Sequence, residues 1–291
     1  MPEETLPAGR QVWTIKKLLE WSQEYLKKAK IDEPRLESEL LLAHALGYKR
    51  IDLYIKFDQQ PAKDSLSKFK EYIIRRKEHE PSAYITGNKP FMSLDINVTK
   101  DVLIPRPETE LLVETAIDIA REINEPMILD IGTGSGAIAV SLAKYIPSAK
   151  VVATDLSEDS LKIAAENAKK HGVADKITFE KADLFPSSGK FNLIVSNPPY
   201  IRSEDIKLLA PEIKDHEPIA ALDGGPDGLA YYRRILAGLR DHMTENGCLL
   251  LEVGAGQSKE VSGLISERSG HAVINTRTDL NGIERLLTVR I

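Results

Sequence analysis

The sequence predicts an α/β protein in which a mostly parallel, seven-stranded sheet carries helices on both faces and follows a small helical bundle. Three observations predict it. From Pro126 onward, short apolar runs alternate with segments of helical period, the pattern of strand–helix–strand units. The first of those runs ends in Gly132-Thr133-Gly134-Ser135-Gly136 and passes at once into a helix. Up to residue 81, by contrast, the apolar residues recur at helical spacing.

At 291 residues the chain exceeds the roughly 100–200 of a usual single domain, so two domains are expected. Hydrophobic residues make 42% and charged residues 29%, an ordinary globular composition that argues against extensive disorder. The net charge of −5 shows no general basic footprint of the kind duplex-binding domains carry. Cys248 is the single cysteine and lies in the apolar run Cys248-Leu249-Leu250-Leu251, which reads as a buried thiol in a reducing compartment. Pro2, Glu3 and Glu4 have no long apolar segment behind them, so neither signal peptide nor membrane span is expected and the location reads as cytoplasmic.

In order, helices are expected over 13–28, from Trp13, Leu18, Leu19, Trp21 and Leu26, and over 34–46, ended by Gly47. A third, over 65–77, places Leu66, Phe69, Tyr72, Ile73 and Ile74 on one side and Lys68, Lys70, Arg75, Arg76 and Lys77 largely on the other. That basic face reads as solvated, with an acidic partner or RNA as the alternative. The alternation Leu94-Asp95-Ile96-Asn97-Val98-Thr99 predicts a strand, with Val102-Leu103-Ile104 as its hairpin partner. Pro107 followed by Glu108 and Glu110 opens a helix over 107–122. Strands are then expected over 127–131, 150–154, 177–180, 191–195, 248–253, 271–276 and 285–291, and helices over 136–145, 160–170, 229–242 and 258–267. The expected divisions are a helical bundle over 1–81, a β-hairpin linker over 82–105 and an α/β domain over 106–291.

The glycines after strand 127–131 let the backbone turn tightly and approach a ligand, and the new helix offers free amide N–H groups. The spacing is Gly-x-Gly-x-Gly with Asp130 ahead of it, where a dinucleotide fingerprint reads Gly-x-Gly-x-x-Gly. The next strand ends at Asp155, placed to accept from both hydroxyls of a ribose. The one after ends at Ala182-Asp183-Leu184-Phe185, where Asp183 and Leu184 suit the amino group and face of an adenine. A lone glycine-rich turn is often only a connection; an acid closing each of three strands points to a nucleoside cofactor. The Asp130 carboxylate and the glycine spacing resemble the S-adenosylmethionine-dependent methyltransferases rather than the NAD enzymes, because an acid there suits a cationic ligand and repels a pyrophosphate.

The strand 191–195 runs into Asn197-Pro198-Pro199-Tyr200. Neither proline donates a ladder hydrogen bond, so the strand stops and leaves carbonyls and an aromatic ring at the sheet's carboxyl edge. A conjugated NH₂ group is a poor nucleophile, and activating it takes two acceptors on its N–H bonds and a surface that holds its plane. The Asn197 side-chain oxygen and the Pro198 carbonyl are candidate acceptors, and Tyr200 a candidate stacking surface. The catalytic candidates are thus Asn197, Pro198 and Tyr200. All four residues of the motif are candidates for binding substrate, and Asn197 also counts among the cofactor neighbours. A simple turn is the competing reading of the tetrapeptide.

Together with the Asp-x-Gly-x-Gly-x-Gly loop, this motif resembles those of the amino-group methyltransferases. Further segments, Tyr84-Ile85-Thr86-Gly87 with Phe91, Ile104-Pro105-Arg106-Pro107-Glu108-Thr109-Glu110, and Glu217-Pro218 through Gly224-Gly225, Asp227-Gly228-Leu229 and Tyr232-Arg233, are similar to the HemK/PrmC family of peptide chain release factor glutamine methyltransferases over nearly the whole chain. The resemblance implies a Rossmann-like class I methyltransferase domain behind a helical bundle that recognises the substrate protein. The implied substrate is the glutamine of the Gly-Gly-Gln loop in class 1 release factors, methylated on its side-chain amide. It also assigns Asn197, Pro198, Pro199 and Tyr200 to the substrate amide, Gly132 to Gly136 to the methionine part of the cofactor, Asp155 to ribose, and Asp183 with Leu184 to adenine. Some relatives carry an aromatic residue where Leu184 stands, so adenine packing here is expected to be aliphatic. Arg106 and Glu108 are read either as fastening the hairpin over the site or as an interdomain ion pair.

The loop through Glu212, Asp215, His216 and Glu217 lacks the ligand spacing of a metal site and reads, with residues 223–228, as a wall of a substrate groove. No metal, no membrane and no direct nucleic-acid partner are expected. The competing functions are an adenine or guanine amino methyltransferase acting on DNA or RNA, which would use the same tetrapeptide on an extruded base, and a non-catalytic S-adenosylmethionine sensor. An NAD oxidoreductase is the weakest contender.

Overall fold

The structure is a computed structural model that describes residues 13–290. Its contacts divide it between Thr86 and Gly87 into two compact units.

In the first unit five helices are described, α1 (Ile15–Lys28), α2 (Pro34–Leu46), α3 (Arg50–Ile55), α4 (Lys63–Lys77) and α5 (Ser82–Thr86). The Thr14 side chain accepts from the Lys17 amide and caps α1, and Gly47, at φ 66°, closes α2 in the left-handed region that an unbranched backbone tolerates. Leu18, Leu26, Leu41, Leu42, Phe69 and Ile73 form its core. The sequence reading put Arg76 on a solvated face, but Arg76 is only 5% exposed. Its guanidinium meets Glu37 at 2.6 Å, the partner that makes burying the charge tolerable. Helix α3 was not expected. Ile51 and Ile55 are 62% and 73% exposed and Leu53 alone is buried, so no apolar stripe marks it.

The second unit opens with an antiparallel hairpin, β1 (Asn88–Phe91) against β2 (Leu94–Asn97). The partner of 94–97 is therefore 88–91 and not the expected 102–104. Met92 and Ser93, both at positive φ (49° and 58°), close a two-residue turn of the sense that suits strand twist. Residues 102–104 instead bury Val102 and Ile104, and the Ile104 amide is donated to Glu217 Oε2 at 3.2 Å, away from any strand ladder. A 3₁₀ turn (Pro107–Thr109) leads into α6 (Glu110–Ala120) where one continuous helix was expected.

The sheet comprises β3 (Met127–Ile131), β4 (Lys150–Asp155), β5 (Ile177–Lys181), β6 (Phe191–Ser196), β7 (Met243–Glu252), β8 (Val273–Thr278) and β9 (Glu284–Arg290). Their order is β5-β4-β3-β6-β7-β9-β8, parallel except that β9 runs antiparallel to both of its neighbours. Helices α7 (Ala137–Tyr145), α8 (Glu158–Lys170), α9 (Pro211–Lys214), α10 (Ala230–His242) and α11 (Ser258–Arg268) connect them. Strand β7 begins earlier than expected, at Met243 opposite Phe191. The register then shifts so that Leu193 faces Cys248, and the polar residues between stand out of the ladder.

Register is what assembles the site. Ile131 pairs with Thr154 on one side and Ser196 on the other, and Ser196 pairs with Leu251. The next residues along the carboxyl edge are Asp155, Gly132, Asn197 and Glu252, one from each of four adjacent strands. Behind this row Asn167 of α8, fully buried, ties two segments together. Its Oδ1 accepts from the Asn97 amide (2.8 Å), and its Nδ2 donates to the Asn97 and Ser135 carbonyls (2.9 and 2.8 Å). Asn167→Ala strands all three peptide groups, the Ser135 carbonyl fully buried and the two of Asn97 partly so, and urea unfolding should register a loss of about 2–4 kcal/mol.

Candidate active site

The loop after β3 is shaped from beneath. Thr133 Oγ1 and the Ala139 amide both donate to Asp130 Oδ2, at 2.7 and 3.2 Å. Asp130 is completely buried, and its Oδ1 has no hydrogen-bond partner. Burial pushes its carboxyl up to about 7, against those two hydrogen bonds. Asp130 thus lies under the loop as a support, with Oδ1 unengaged. Above it, Gly132 and Gly134 have φ of 72° and 53°, and a Cβ built on either would meet no atom within 4 Å. Their outer face is an open cradle lined by backbone. Gly136 caps α7 at φ 79°, and a Cβ there would stand 2.9 Å from the Ala164 Cα. That glycine is a packing requirement.

Asp155 is held in place by its own neighbours. Its Oδ2 accepts from the Gly134 amide (2.9 Å) and its Oδ1 from the Ser157 amide (2.8 Å). Each oxygen keeps a further lone pair for a diol. The Asp183 side chain is 58% exposed and paired with Arg234 at 2.6 Å. Leu184, at φ 76°, packs against the core beside the sheet, and its carbonyl accepts from Thr154 Oγ1 at 2.6 Å. An open glycine cradle, an acid with lone pairs to spare and an unpaired buried carboxylate oxygen beneath the loop fit S-adenosylmethionine. The same carboxylate is ill suited to a pyrophosphate.

Beside the cradle, Asn197 Nδ2 donates to Thr109 Oγ1 at 3.1 Å, which leaves its Oδ1 as an acceptor. Pro198 is buried and Tyr200 partly so. Burial, and then the charge of Glu252, pushes the Tyr200 hydroxyl up to about 12, so the ring remains a neutral phenol. The backbone at Pro199 and Tyr200 is hemmed in by glycines. A Cβ on Gly224 would lie 2.8 Å from the Tyr200 Cα, and one on Gly228 would lie 2.5 Å from the Tyr200 carbonyl oxygen. Gln257 Nε2 donates to that same carbonyl at 3.0 Å. The Ile201 amide and carbonyl bond to Leu222 and Gly224, so residues 222–228 brace the tetrapeptide from one side. A cleft of about 390 Å³ opens beside Tyr200, between Arg202 and Asp205 on one wall and Gly254 to Gln257 on the other.

Arg106 finds its partner within this same unit, pairing with Glu217 Oε1 at 2.5 Å while Glu217 Oε2 takes the Ile104 amide. The pair fastens residues 104–106 to the loop before Pro218. Glu108 lies near enough that its charge adds to the upward push on Tyr200 and Glu252. Two residues here escaped sequence reasoning, Thr109 and Glu252. Glu252 is 3% exposed, and its Oε2 has no partner. Burial pushes its carboxyl up to about 7, opposed by the neighbouring Thr109 hydroxyl. Its signal was present in the sequence: an acid closing an apolar strand, the same pattern as Asp130. Among the described residues, His, Cys, Asp and Glu side chains form no group of three or more able to hold a metal ion.

Comparison with known proteins agrees with this geometry. Residues 17–87 match the family described as the PrmC N-terminal domain, and residues 107–213 match the methyltransferase small domain. The release factor glutamine methyltransferase of Geobacter sulfurreducens is 42% identical over 283 residues, 97% of this chain and 98% of that protein. That of Rhodopirellula baltica is 40% identical over 288 residues, 96% of each chain. Among solved structures, the catalytic domain of hMettl16 in complex with MAT2A 3′UTR hairpin 6 superposes with a TM-score of 0.52 at 14% identity, over 77% of this chain and 80% of that one, a likeness of fold alone. With a class I S-adenosylmethionine methyltransferase fold and such relatives along almost its entire length, the chain belongs to the release factor glutamine methyltransferase family.

Proposed function

We infer that this chain transfers a methyl group from S-adenosylmethionine to the side-chain amide nitrogen of a glutamine in a peptide chain release factor. The observation that carries the reading is the juxtaposition of an open glycine cradle and, one strand away, an Asn197 whose Nδ2 is already spent on Thr109. An NH₂ group laid there meets an acceptor in Asn197 Oδ1 and another in the Pro198 carbonyl, while Tyr200 bounds its plane. Holding both N–H bonds in this way draws the amide lone pair toward the donor side. When bound, S-adenosylmethionine supplies a methyl group on a positively charged sulfur. Gly132 to Gly136, with Asp130 beneath them, would take its methionine part, Asp155 its ribose, and Asp183 with Leu184 its adenine. The residues around Tyr200 and 222–228 exclude water from one side of the grip.

The Gly-Gly-Gln loop of class 1 release factors is the proposed target. Residues 1–81 are proposed to recognise the substrate protein, with the hairpin region 82–105 as linker and 106–291 as the catalytic domain. The place of action would be the cytoplasm, where translation terminates; no helix among the described residues is long and apolar enough to cross a membrane. Mass spectrometry of the release factor's Gly-Gly-Gln peptide tests the reading. Incubation with this protein and S-adenosylmethionine should add one methyl group to the glutamine. Label entering only DNA or RNA would reject it.

A further inference from the structure

Strand β6 ends at Ser196, and beyond it the two prolines of the tetrapeptide carry no N–H by which a neighbouring strand could hold them. Something other than the ladder must set where Tyr200 stands. Gln257, the residue before α11, does so with both ends of its carboxamide. Nε2 donates to the Tyr200 carbonyl at 3.0 Å, and Oε1 accepts from the Gly254 amide at 3.1 Å. A peptide carbonyl only accepts and a peptide N–H only donates, so these two partners leave the carboxamide a single orientation.

The main chain of Gln257 is held as well as its tip. Its amide donates to the Gly254 carbonyl at 3.1 Å, and its carbonyl accepts from the Val261 amide at 3.0 Å in the first turn of α11. The side chain also has little room to move. A Cβ built on Gly254 would lie 2.5 Å from Gln257 Oε1 and 3.0 Å from the ring carbon Cδ2 of Tyr200, and one on Gly228 would lie 2.7 Å from Gln257 Nε2. Gly254 therefore lies against the Tyr200 ring and is tied, through Gln257, to the Tyr200 carbonyl. Ring and backbone of Tyr200 are fixed by one connection, the loop from β7 to α11.

We propose that Gln257 is a positioning residue which, by bridging Tyr200 to Gly254, sets the ring that holds the substrate amide in the plane its two acceptors require. The inference rests on reading Tyr200 as that ring. Loss of the bridge lets Tyr200 shift and misaligns the NH₂ group. The methyl donor is unaffected, because its proposed contacts lie beyond β3, β4 and β5, on the other side of the tetrapeptide's strand.

The test follows release factor methylation by wild type, Gln257→Ala and Gln257→Glu across the pH range in which all stay folded, with S-adenosylmethionine affinity measured by calorimetry. Gln257→Ala should lower kcat and kcat/KM together by about tenfold, with cofactor affinity within about twofold of wild type. Gln257→Glu has nearly the same shape. Ionised, it sets an oxygen against the Tyr200 carbonyl oxygen; protonated, its O–H donates to that carbonyl while the other oxygen still accepts from Gly254. At alkaline pH this variant should be about tenfold slower than wild type, and the ratio should return to within about twofold as the pH falls and the new carboxyl takes up its proton. Ionisable neighbours are Tyr200, Arg202, Asp205 and Glu260 around the cleft, with Glu284 bonded to the adjacent Ser258. Wild type and variant share them all, so the ratio isolates residue 257. A ratio that stays flat with pH, or a kcat within about twofold of wild type in Gln257→Ala, overturns the proposal, as does a cofactor affinity that falls in step with turnover. Should Gln257→Ala not fold, the pH dependence of Gln257→Glu decides alone. A wild-type protein that methylates no release factor rejects the functional reading, and this inference with it; an active wild type with unaffected variants rejects this inference alone.

Discussion

Replacing Asn197 with alanine lowers methyl transfer to the release factor by on the order of 10²-fold or more, while S-adenosylmethionine affinity stays within about threefold of wild type. The loss is large because the deleted oxygen is one of two acceptors proposed to hold the substrate amide, and no neighbouring side chain replaces it. Binding of the cofactor survives because its proposed contacts come mainly from the glycine cradle on β3 and from Asp155 on β4. Single-turnover methylation and calorimetry on the same variant measure the two quantities. Unchanged turnover removes Asn197 from the mechanism, and a parallel collapse of both quantities makes it a residue of the fold.

The next largest effect is expected at Gly136. Gly136→Ala places a methyl group 2.9 Å from both the Cα and the Cβ of Ala164, at a φ of 79° that L-residues adopt only with strain. The Cα is backbone of α8, so relief requires moving a helix. Strain of about 1–3 kcal/mol and overpacking of similar size give a destabilisation of roughly 3–5 kcal/mol, read from chemical denaturation. Cofactor affinity should fall with it, since α8 and the cradle share Asn167. Gly134→Ala is the informative contrast. It carries the left-handed strain, at φ 53°, but no contact within 4 Å, so it should lose affinity with a smaller loss of stability.

Legibility in the sequence followed the range of the forces involved. Strands β3 and β6 were placed almost to the residue, because a strand buried on both faces reads as a mostly apolar run, and Met127–Ile131 and Phe191–Ser196 are such runs with the stops Gly132 and Asn197 beyond them. The acids at strand ends were legible for the same reason at Asp130, Asp155 and Asp183. Glu252 carries an equal signal, and was passed over because the strand was read as continuing through it to Val253. Helix α3 was invisible, since its turn buries one leucine and exposes two isoleucines. The hairpin partner was misplaced because Pro90 weakens the strand signal of residues 88–91, while Val102 and Ile104 imitate one. Neither Asn167 nor Thr109 could be found from local pattern. Both act across distant parts of the chain, on Asn97 and Ser135 in one case and on Asn197 in the other.

Asn167 has a thermodynamic consequence for the hairpin. One side chain clasps both the last residue of β2 and the carbonyl of Ser135 in the cradle, so ordering either reduces the freedom that remains to be lost at the other. Such linkage is reciprocal. Whatever free energy a filled cradle lends to the β1–β2 ribbon, a stiffened ribbon returns to the cradle.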